Sequence, residues 1–290
     1  MTTILPVPVA GWGGNHQFFC ASGIGYIFDG DGNASTPYYS STDLASWTGF
    51  GAYPSNLRVD LGGPAIWVMA KLSGNYIVIG DDGMGGYWMA KSADGTNWTQ
   101  TDISADPFPP VLFSAHSSAE KDGVLYILSY AGASAWMTTV TTGLHISAST
   151  ITNLPTSSQY SILQDSGLLY AFPISNVSGK YVMTSTDGIT WSPIGSALDA
   201  ISNHAGFGVH AGKLYCCGGR LSNPSTLTNK VYSTTDFVTW SLEGYTTTWS
   251  SREFPAVASF GGSLVVAGGW QGTQEIWKAV APLAPIGRPL

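Results

Sequence analysis

A short apolar segment that begins at a glycine recurs along the chain, and this repeat limits the fold more than any other feature. The copies are GIGYIFDG from Gly23, GNYIVIGD from Gly74, GVLYILSY from Gly123, GLLYAFPI from Gly167, GKLYCCGG from Gly212 and GSLVVAGG from Gly262. Successive copies begin 51, 49, 44, 45 and 50 residues apart. A period of about 48 residues fits six times into the chain, which indicates a ring or array of six similar units.

A second repeat follows the first at a nearly constant distance. The copies are STDLASW ending at Trp47, SADGTNW ending at Trp98, STDGITW ending at Trp191, TTDFVTW ending at Trp240 and a degenerate VTTGLHI ending at Ile146. We predict that the aspartates accept backbone N–H bonds inside tight turns and that each tryptophan begins the next strand and packs on a neighbouring unit. The predicted structural residues are Asp43, Asp94, Asp187, Asp236, Trp47, Trp98, Trp191 and Trp240.

The two repeats predict an all-β fold, a six-bladed β-propeller of four-stranded antiparallel blades. Each unit reads as strand, short turn, strand, longer loop, strand, Asp turn and strand. The sixth unit lacks an Asp turn, whereas a strand-like segment at residues 2–9 precedes the first unit, so we predict that this segment closes the ring on the last blade. The predicted blades are residues 11–51, 52–102, 103–150, 151–196, 197–244 and 245–280 of a single domain 1–290, followed by a tail at 281–290.

Composition excludes several classes of function. Only 10% of residues are charged and the net charge is −7, without a Lys/Arg run, so nucleic acid is not an expected partner. The start MTTILPVPVAGWGG has no basic n-region and carries prolines where an apolar core would stand, so we expect neither a signal peptide nor membrane insertion. Cys20, Cys216 and Cys217 are interpreted as reduced core thiols, and no cofactor is expected.

The Asp turns resemble those of the Asp-box propellers, a repeat found in sialidases and many other proteins, and more loosely the kelch propellers. The likeness runs through Ser92, Asp94 and Trp98, and again through Ser185, Asp187 and Trp191. These copies are one residue shorter between Asp and Gly than the usual box. In sialidases the boxes lie away from the active site, so the resemblance implies a fold and not a reaction.

Candidate ligand-binding residues concentrate in loops that the propeller geometry places on one rim. Three of the four arginines fall there among acidic and aromatic side chains, and such a set could bind an acidic sugar through guanidinium–carboxylate pairs and stacking on rings. The alternative is that each arginine holds its own loop. The candidates are Arg58, Arg220, Arg252, Asp60, Glu253, Tyr53, Trp249 and Trp270.

Metal sites receive less support from the sequence. Asp29, Asp31 and Asn33 have the alternating oxygen ligands of a calcium loop, but Ala34 and Ser40 stand where an EF-hand loop needs glycine and glutamate. A turn is therefore the favoured interpretation. The five histidines lie far apart along the chain, and we interpret His204, which precedes a first strand, as making a structural hydrogen bond.

Three classes of function remain. The favoured hypothesis is a non-enzymatic phage virion protein, made in the host cytoplasm, that binds host-surface polysaccharide or a neighbouring virion protein as a tail-fibre receptor binder or a decoration protein. The alternatives are a sialidase-like glycoside hydrolase or lyase, and an intracellular kelch-like scaffold. No catalytic residue is assigned, because Arg58 does not stand in the arginine motif that a sialidase has before its first box. The oligomeric state is left open.

Overall fold

A computed structural model describes most of the chain. The described residues are 2–4, 17–21, 23–28, 38–50, 66–81, 87–104, 117–131, 134–143, 145–155, 160–173, 181–196, 201–221, 226–244, 249–269 and 276–279. In this part of the chain the regular structure is all β, and it contains no helix. Six four-stranded antiparallel sheets form a six-bladed propeller, as the repeats predict.

The first three blades follow the chain in order. Blade one contains β2 (Gln17–Ala21), β3 (Ile24–Phe28), β4 (Tyr38–Ser41) and β5 (Thr48–Phe50). Blade two contains β6 (Ile66–Leu72), β7 (Asn75–Asp81), β8 (Tyr87–Ser92) and β9 (Thr99–Asp102). Blade three contains β10 (Ser117–Lys121), β11 (Val124–Ala131), β12 (Ser134–Thr141) and β13 (Ile146–Thr150).

The last three blades include two departures from this order. Blade four contains β14 (Tyr160–Asp165), β15 (Leu168–Pro173), β16 (Tyr181–Ser185) and β17 (Ser192–Ser196). Blade five contains β19 (Gly206–His210), β20 (Lys213–Cys217), β22 (Val231–Thr234) and β23 (Ser241–Leu242), and an additional two-stranded sheet joins β18 (Ile201–Asn203) to β21 (Arg220–Leu221). Blade six contains β24 (Ala256–Phe260), β25 (Ser263–Ala267), β26 (Ile276–Lys278) and, from the other end of the sequence, β1 (Thr2–Ile4).

Strand β1 closes the ring without a covalent link. It pairs antiparallel with β26, and Thr2, Thr3 and Ile4 lie opposite Lys278, Trp277 and Ile276. The first strand of every blade contacts the first strand of the next, and β24 of the last blade contacts β2 of the first. The first strands therefore surround the axis of the propeller, and the predicted closure by an N-terminal strand is confirmed.

Hydrophobic side chains fill the junction between each pair of neighbouring blades. Six clusters of buried residues lie at the six junctions, including the one between blades six and one. Trp191 shows how the Asp turns contribute, since this side chain is only 1% exposed and packs in the same cluster as Leu128 and Met137 of the preceding blade. The repeated tryptophan of blade four thus stabilises the association of two blades.

The four Asp turns make the same hydrogen bonds. In each one the Asp carboxylate accepts two backbone N–H bonds from the residues two and three positions later, and the preceding Ser or Thr hydroxyl accepts the N–H of the residue after the Asp. The residue after the Asp has a positive φ, which explains glycine in two of the copies. These residues are Leu44, Gly95, Gly188 and Phe237.

Protonation of an Asp turn is expected to weaken the fold. The N–H groups of Asn97 and Thr96, with the side chains of Asn97 and Ser92, hold the pKa of Asp94 well below its usual range. A lowered pKa means that the ionised group contributes stability above the unfolded-state pKa, near 4, and that this contribution is lost as the pH falls through the folded-state pKa. We expect Asp94→Asn to lower the melting temperature at pH 7, with the difference from wild type shrinking below about pH 4.

The matched control for this prediction is Asp122→Asn. Asp122 lies in the turn between β10 and β11, where its carboxylate pairs with the Lys121 amine and where it is largely exposed. Thermal unfolding between pH 3 and pH 7 should separate the two variants, because an exposed ion pair contributes little. An acid-dependent difference of equal size in both variants would contradict the role given to the Asp94 turn.

Candidate functional site

The candidate site lies where blades five and six meet on the upper rim of the propeller. We call upper the rim that carries the loops between second and third strands and the connections between blades. The segment before β19 contains His204, the segment before β24 contains Glu253 and Phe254, and Arg220 lies in β21 after the second strand of blade five. We refer to His204, Arg220, Glu253 and Phe254 as the Glu253 cluster.

A buried carboxylate joins the polar members of the cluster. The side chain of Glu253 is 1% exposed, and its Oε1 atom lies 2.8 Å from Arg220 Nε, Arg220 Nη2 and His204 Nδ1. The other oxygen, Oε2, is buried and has no hydrogen-bond partner among the residues that the structure describes. A carboxylate in such a position needs compensating cations, and Arg220 supplies one.

The electrostatics of the cluster favour the ionised form of Glu253. Burial raises the pKa of this carboxyl group, but the hydrogen bonds from Arg220 and His204 outweigh burial and hold the pKa below its ordinary value. Glu253 is therefore an acceptor near neutral pH, and His204 Nδ1 must carry the hydrogen in their shared bond. In the neutral imidazole this leaves the lone pair on Nε2, on the opposite side of the ring.

His204 and Phe254 occupy equivalent positions in successive blades. Each lies two residues before a first strand and has a positive φ, 61° for His204 and 51° for Phe254. Their rings stack with centroids 4.2 Å apart, and the Phe254 N–H donates to the His204 carbonyl at 2.6 Å. Left-handed backbone at two bulky residues is uncommon, and such conformations concentrate at functional sites.

The cluster presents a partly exposed surface above its buried centre. Phe254 is 46% exposed, and the side chains of His204 and Arg220 are each 31% exposed. An arginine, an imidazole and an aromatic ring therefore reach solvent side by side. This combination can pair with a carboxylate, exchange a proton and pack against an apolar face.

Arg252 stabilises the segment that contains Glu253 through hydrogen bonds to the backbone and to a hydroxyl group. It is 0% exposed, and its guanidinium donates to the Gly268 carbonyl at 2.7 Å and to the carbonyl and hydroxyl of Ser250 at 3.1 Å each. The guanidinium also lies over the buried Trp249 ring, 5.2 Å from its centroid. In the described part of the chain, Arg252 and Trp249 therefore act within the fold, as in the loop-holding alternative.

The first strands of blades five and six approach closely beside the cluster. A Cβ atom added at Gly206 would lie 1.9 Å from the Pro255 carbonyl oxygen, and one at Gly208 would lie 2.7 Å from the Val257 carbonyl oxygen. Only glycine permits this separation, which brings the segment before β24 against the start of β19. The two glycines thus permit close packing of the two strands beside the Glu253 cluster.

The structure brings together four of the residues that the sequence indicated, Arg220, Arg252, Glu253 and Trp249. Whether they bind a ligand stays a prediction. His204 makes the structural hydrogen bond expected of it, to Glu253. Sequence reasoning did not identify Phe254, although its position before a first strand matches that of His204. Other predicted site residues lie outside the described residues, namely Arg58, Asp60, Tyr53, Trp270, Asp29, Asp31 and Asn33.

A separate cavity of about 490 Å³ lies at the opposite rim, between the first strands of blades one to three. Lys71 and Glu120 are its charged lining residues. The Lys71 amine donates to the Tyr26 hydroxyl at 2.9 Å and lies about 5 Å from the centroids of the Tyr26 and Tyr76 rings. This amine is engaged by the fold, and we therefore regard the Glu253 cluster as the stronger candidate.

The described residues contain neither a metal-binding group nor a membrane-spanning helix. No group of three or more His, Cys, Asp or Glu side chains within the described ranges could hold a metal ion. No helix in the same ranges has the length and apolar character needed to cross a membrane. The cysteines Cys20, Cys216 and Cys217 are free thiols, and burial raises the pKa of each.

Comparisons with known proteins bear on the fold. No protein-family model matches the chain, and no curated protein matches it. Among solved structures it is similar to one titled "Structure of YjhT", with a TM-score of 0.67, 13% sequence identity and alignment over 94% of this chain and 95% of that one. At this identity the similarity concerns the fold, and the chain is a six-bladed β-propeller over almost its whole length.

Proposed function

We propose that this protein is a binding propeller that recognises a carboxylate-bearing glycan at the Glu253 cluster. The observation that carries the proposal is Arg220, whose guanidinium is fixed in place by the buried Glu253 carboxylate while part of its side chain reaches solvent. A guanidinium held in one orientation loses little entropy when it binds a second carboxylate. Phe254 provides an exposed apolar surface beside it for one face of a sugar ring.

Because the molecule has a net negative charge, its binding to an anionic glycan must depend on local contacts. With a net charge of −7, long-range attraction would not steer an anionic polysaccharide toward this protein. Selective binding would therefore depend on the arginine and the aromatic surface, and not on a basic face. This supports a ligand that carries a carboxylate and an apolar sugar face on the same unit, as a uronic acid does.

We place this binding in a phage virion, as a receptor-binding or decoration protein. The support is compositional, since the chain is rich in Gly, Trp and Tyr and poor in charge, as expected of a compact surface protein. A noncovalently closed ring with loops on one rim suits attachment to a particle on one side and contact with a surface on the other. Binding to a neighbouring virion protein is the alternative use of the same rim.

Binding to polysaccharides tests the proposal. We expect the purified protein to bind a uronic-acid polymer saturably and to bind its carboxyl-reduced form much more weakly. Because hydrogen bonds to charged groups contribute about 1.5–3 kcal/mol, Arg220→Gln should weaken binding by about 10- to 100-fold. Isothermal titration calorimetry measures this, and intact bacterial cells with their extracted polysaccharides serve as the broader panel.

Two controls separate recognition from folding. Lys71→Gln removes a cation from the opposite rim, and Val238→Ala removes an exposed apolar side chain from the Asp turn of blade five. Both variants should bind like wild type, and thermal unfolding should verify that Arg220→Gln is folded at the temperature used. Equal affinity for the carboxylated and the reduced polymer would refute recognition by Arg220.

A further inference from the structure

We propose that the Glu253 cluster also cleaves the glycan, with His204 as the general base of a β-elimination on a uronic-acid polysaccharide. This inference depends on the proposed function, because it uses the same ligand in the same site. It goes beyond the favoured hypothesis of a non-enzymatic protein and assigns residues to the lyase alternative.

His204 has the arrangement of an oriented base. A buried carboxylate that accepts the Nδ1–H bond fixes both the tautomer and the direction of the ring, as in other sites where an acidic residue orients a catalytic histidine. The stacked Phe254 ring restricts rotation further. The His204 side chain is 31% exposed, so a ligand bound on the rim can reach the imidazole. As a general base, the imidazole would accept the proton through the lone pair on Nε2.

Arg220 lies where it can make the abstracted proton more acidic. Its guanidinium and the His204 ring contact the same Glu253 oxygen, so both groups lie within one hydrogen-bonded unit. A substrate carboxylate paired with Arg220 would place its adjacent carbon near His204. The positive guanidinium would then stabilise the negative charge that develops on the carboxylate when that carbon loses its proton.

The step balances without an oxidant or another reactant. His204 Nε2 takes the hydrogen from the carbon that bears the carboxylate, and the electron pair of that C–H bond becomes a carbon–carbon double bond. The C–O bond to the next sugar breaks at the neighbouring carbon, and its electrons leave with the glycosidic oxygen. This oxygen receives a proton from the imidazolium, which regenerates His204. The products are one fragment with an unsaturated uronate end and one with a new hydroxyl group.

Elimination fits the cluster better than hydrolysis does. A glycosidase of the usual kind needs two carboxyl groups on either side of the scissile bond, one of them protonated. Glu253 is buried, binds two other side chains and has a lowered pKa, so its carboxyl group is not suited to donate a proton to a leaving oxygen. The partly exposed groups of the described cluster are a base and a cation.

The test measures binding and cleavage separately. The probes are polygalacturonate, alginate and hyaluronan, with carboxyl-reduced polymers as inert references. Cleavage is followed by the ultraviolet absorbance of the unsaturated end and by mass spectrometry of the fragments, and binding is measured by calorimetry. Loss of a general base lowers rates by about 10²- to 10⁴-fold, so His204→Gln should lose turnover to this extent and keep most of its affinity.

Matched variants distinguish a catalytic role from a structural one. His210→Gln replaces a histidine that bonds Ser259 at the other end of β19, and it should retain full turnover. Glu253 acts as a positioning residue, so Glu253→Gln should change the pH dependence of the turnover rate as well as its size. A purely structural role would change only the fraction of folded protein.

The outcomes are distinct. Cleavage that is lost in His204→Gln while binding persists supports the inference. Saturable binding of wild type without unsaturated products from any of the probes overturns the inference and leaves the proposed function intact. Absence of binding overturns both. Cleavage at a normal rate by His204→Gln overturns the assignment of the base.

Discussion

Deleting residues 1–10 is expected to destabilise the whole propeller and not only its last blade. The deletion removes β1, so the outer edge of β26 loses its partner and blade six has three strands instead of four. Blade six also packs against blade one, and this junction holds the ring closed. We expect the melting temperature to fall by about 10 °C or more. This fall corresponds to a loss of roughly 2.5–5 kcal/mol of unfolding free energy, since each kcal/mol shifts the melting temperature of a large domain by about 2–4 °C.

Two comparisons make this prediction specific. Deletion of residues 281–290, which follow the last predicted blade, is the matched truncation and should lower the melting temperature less than deletion of residues 1–10 does. A synthetic peptide of residues 1–10, added to the deletion variant, should restore part of the lost stability because it can pair with the open edge of β26. Normal melting of the deletion variant would show that β1 does not contribute to ring closure.

Replacing Gly206 by alanine is expected to be the most damaging single substitution discussed for this protein. The new Cβ atom would lie 1.9 Å from the Pro255 carbonyl oxygen, and 2.9 Å from Val257 Cγ2. A clash with backbone cannot be relieved by rotating a side chain, so β19 and β24 must move apart. Overpacking typically costs about 1–3 kcal/mol, and we expect a value at or above the upper end of that range.

Gly244→Ala is the matched control, because a Cβ atom at Gly244 meets nothing within 4 Å. Chemical denaturation should give Gly244→Ala a stability close to that of wild type. If Gly206→Ala folds at low temperature, it should also bind the carboxylated glycan poorly, since the close packing of the two strands beside the Glu253 cluster depends on the same contact. Equal stability of the two variants would contradict the close approach of blades five and six.

The fold was largely predictable because it is repeated. Each of the six glycine-led strands follows a turn residue and is apolar. Each of the four Asp turns contains a carboxylate that accepts backbone N–H bonds and a residue with positive φ. Repetition of these signals fixed the number of blades and the closing strand. The small sheet of β18 and β21 was not predicted, because Ile201–Asn203 and Arg220–Leu221 are only three and two residues long and the hairpin of β19 and β20 separates them in sequence.

The candidate site was predictable only in part because it is assembled from segments far apart in sequence. The arginines and Glu253 stood out as uncommon residues in loops, but one sequence could not show that Glu253 would bind both Arg220 and His204. Their pairing depends on how two blades pack, which in turn depends on close contacts at Gly206. For Arg252, the sequence could not distinguish a buried side chain that holds its own loop from an exposed side chain that binds a ligand.

The pairing of β1 with β26 also has a consequence for the order in which the molecule forms. Thr2–Ile4 is synthesised before the strands of the six blades, and Ile276–Lys278 must follow more than two hundred residues later before the two strands can pair. Contacts of such long sequence separation form late in folding. Blade six therefore gains its fourth strand only after Ile276–Lys278 has been synthesised, so chains that stop before this point would lack a complete blade beside the Glu253 cluster.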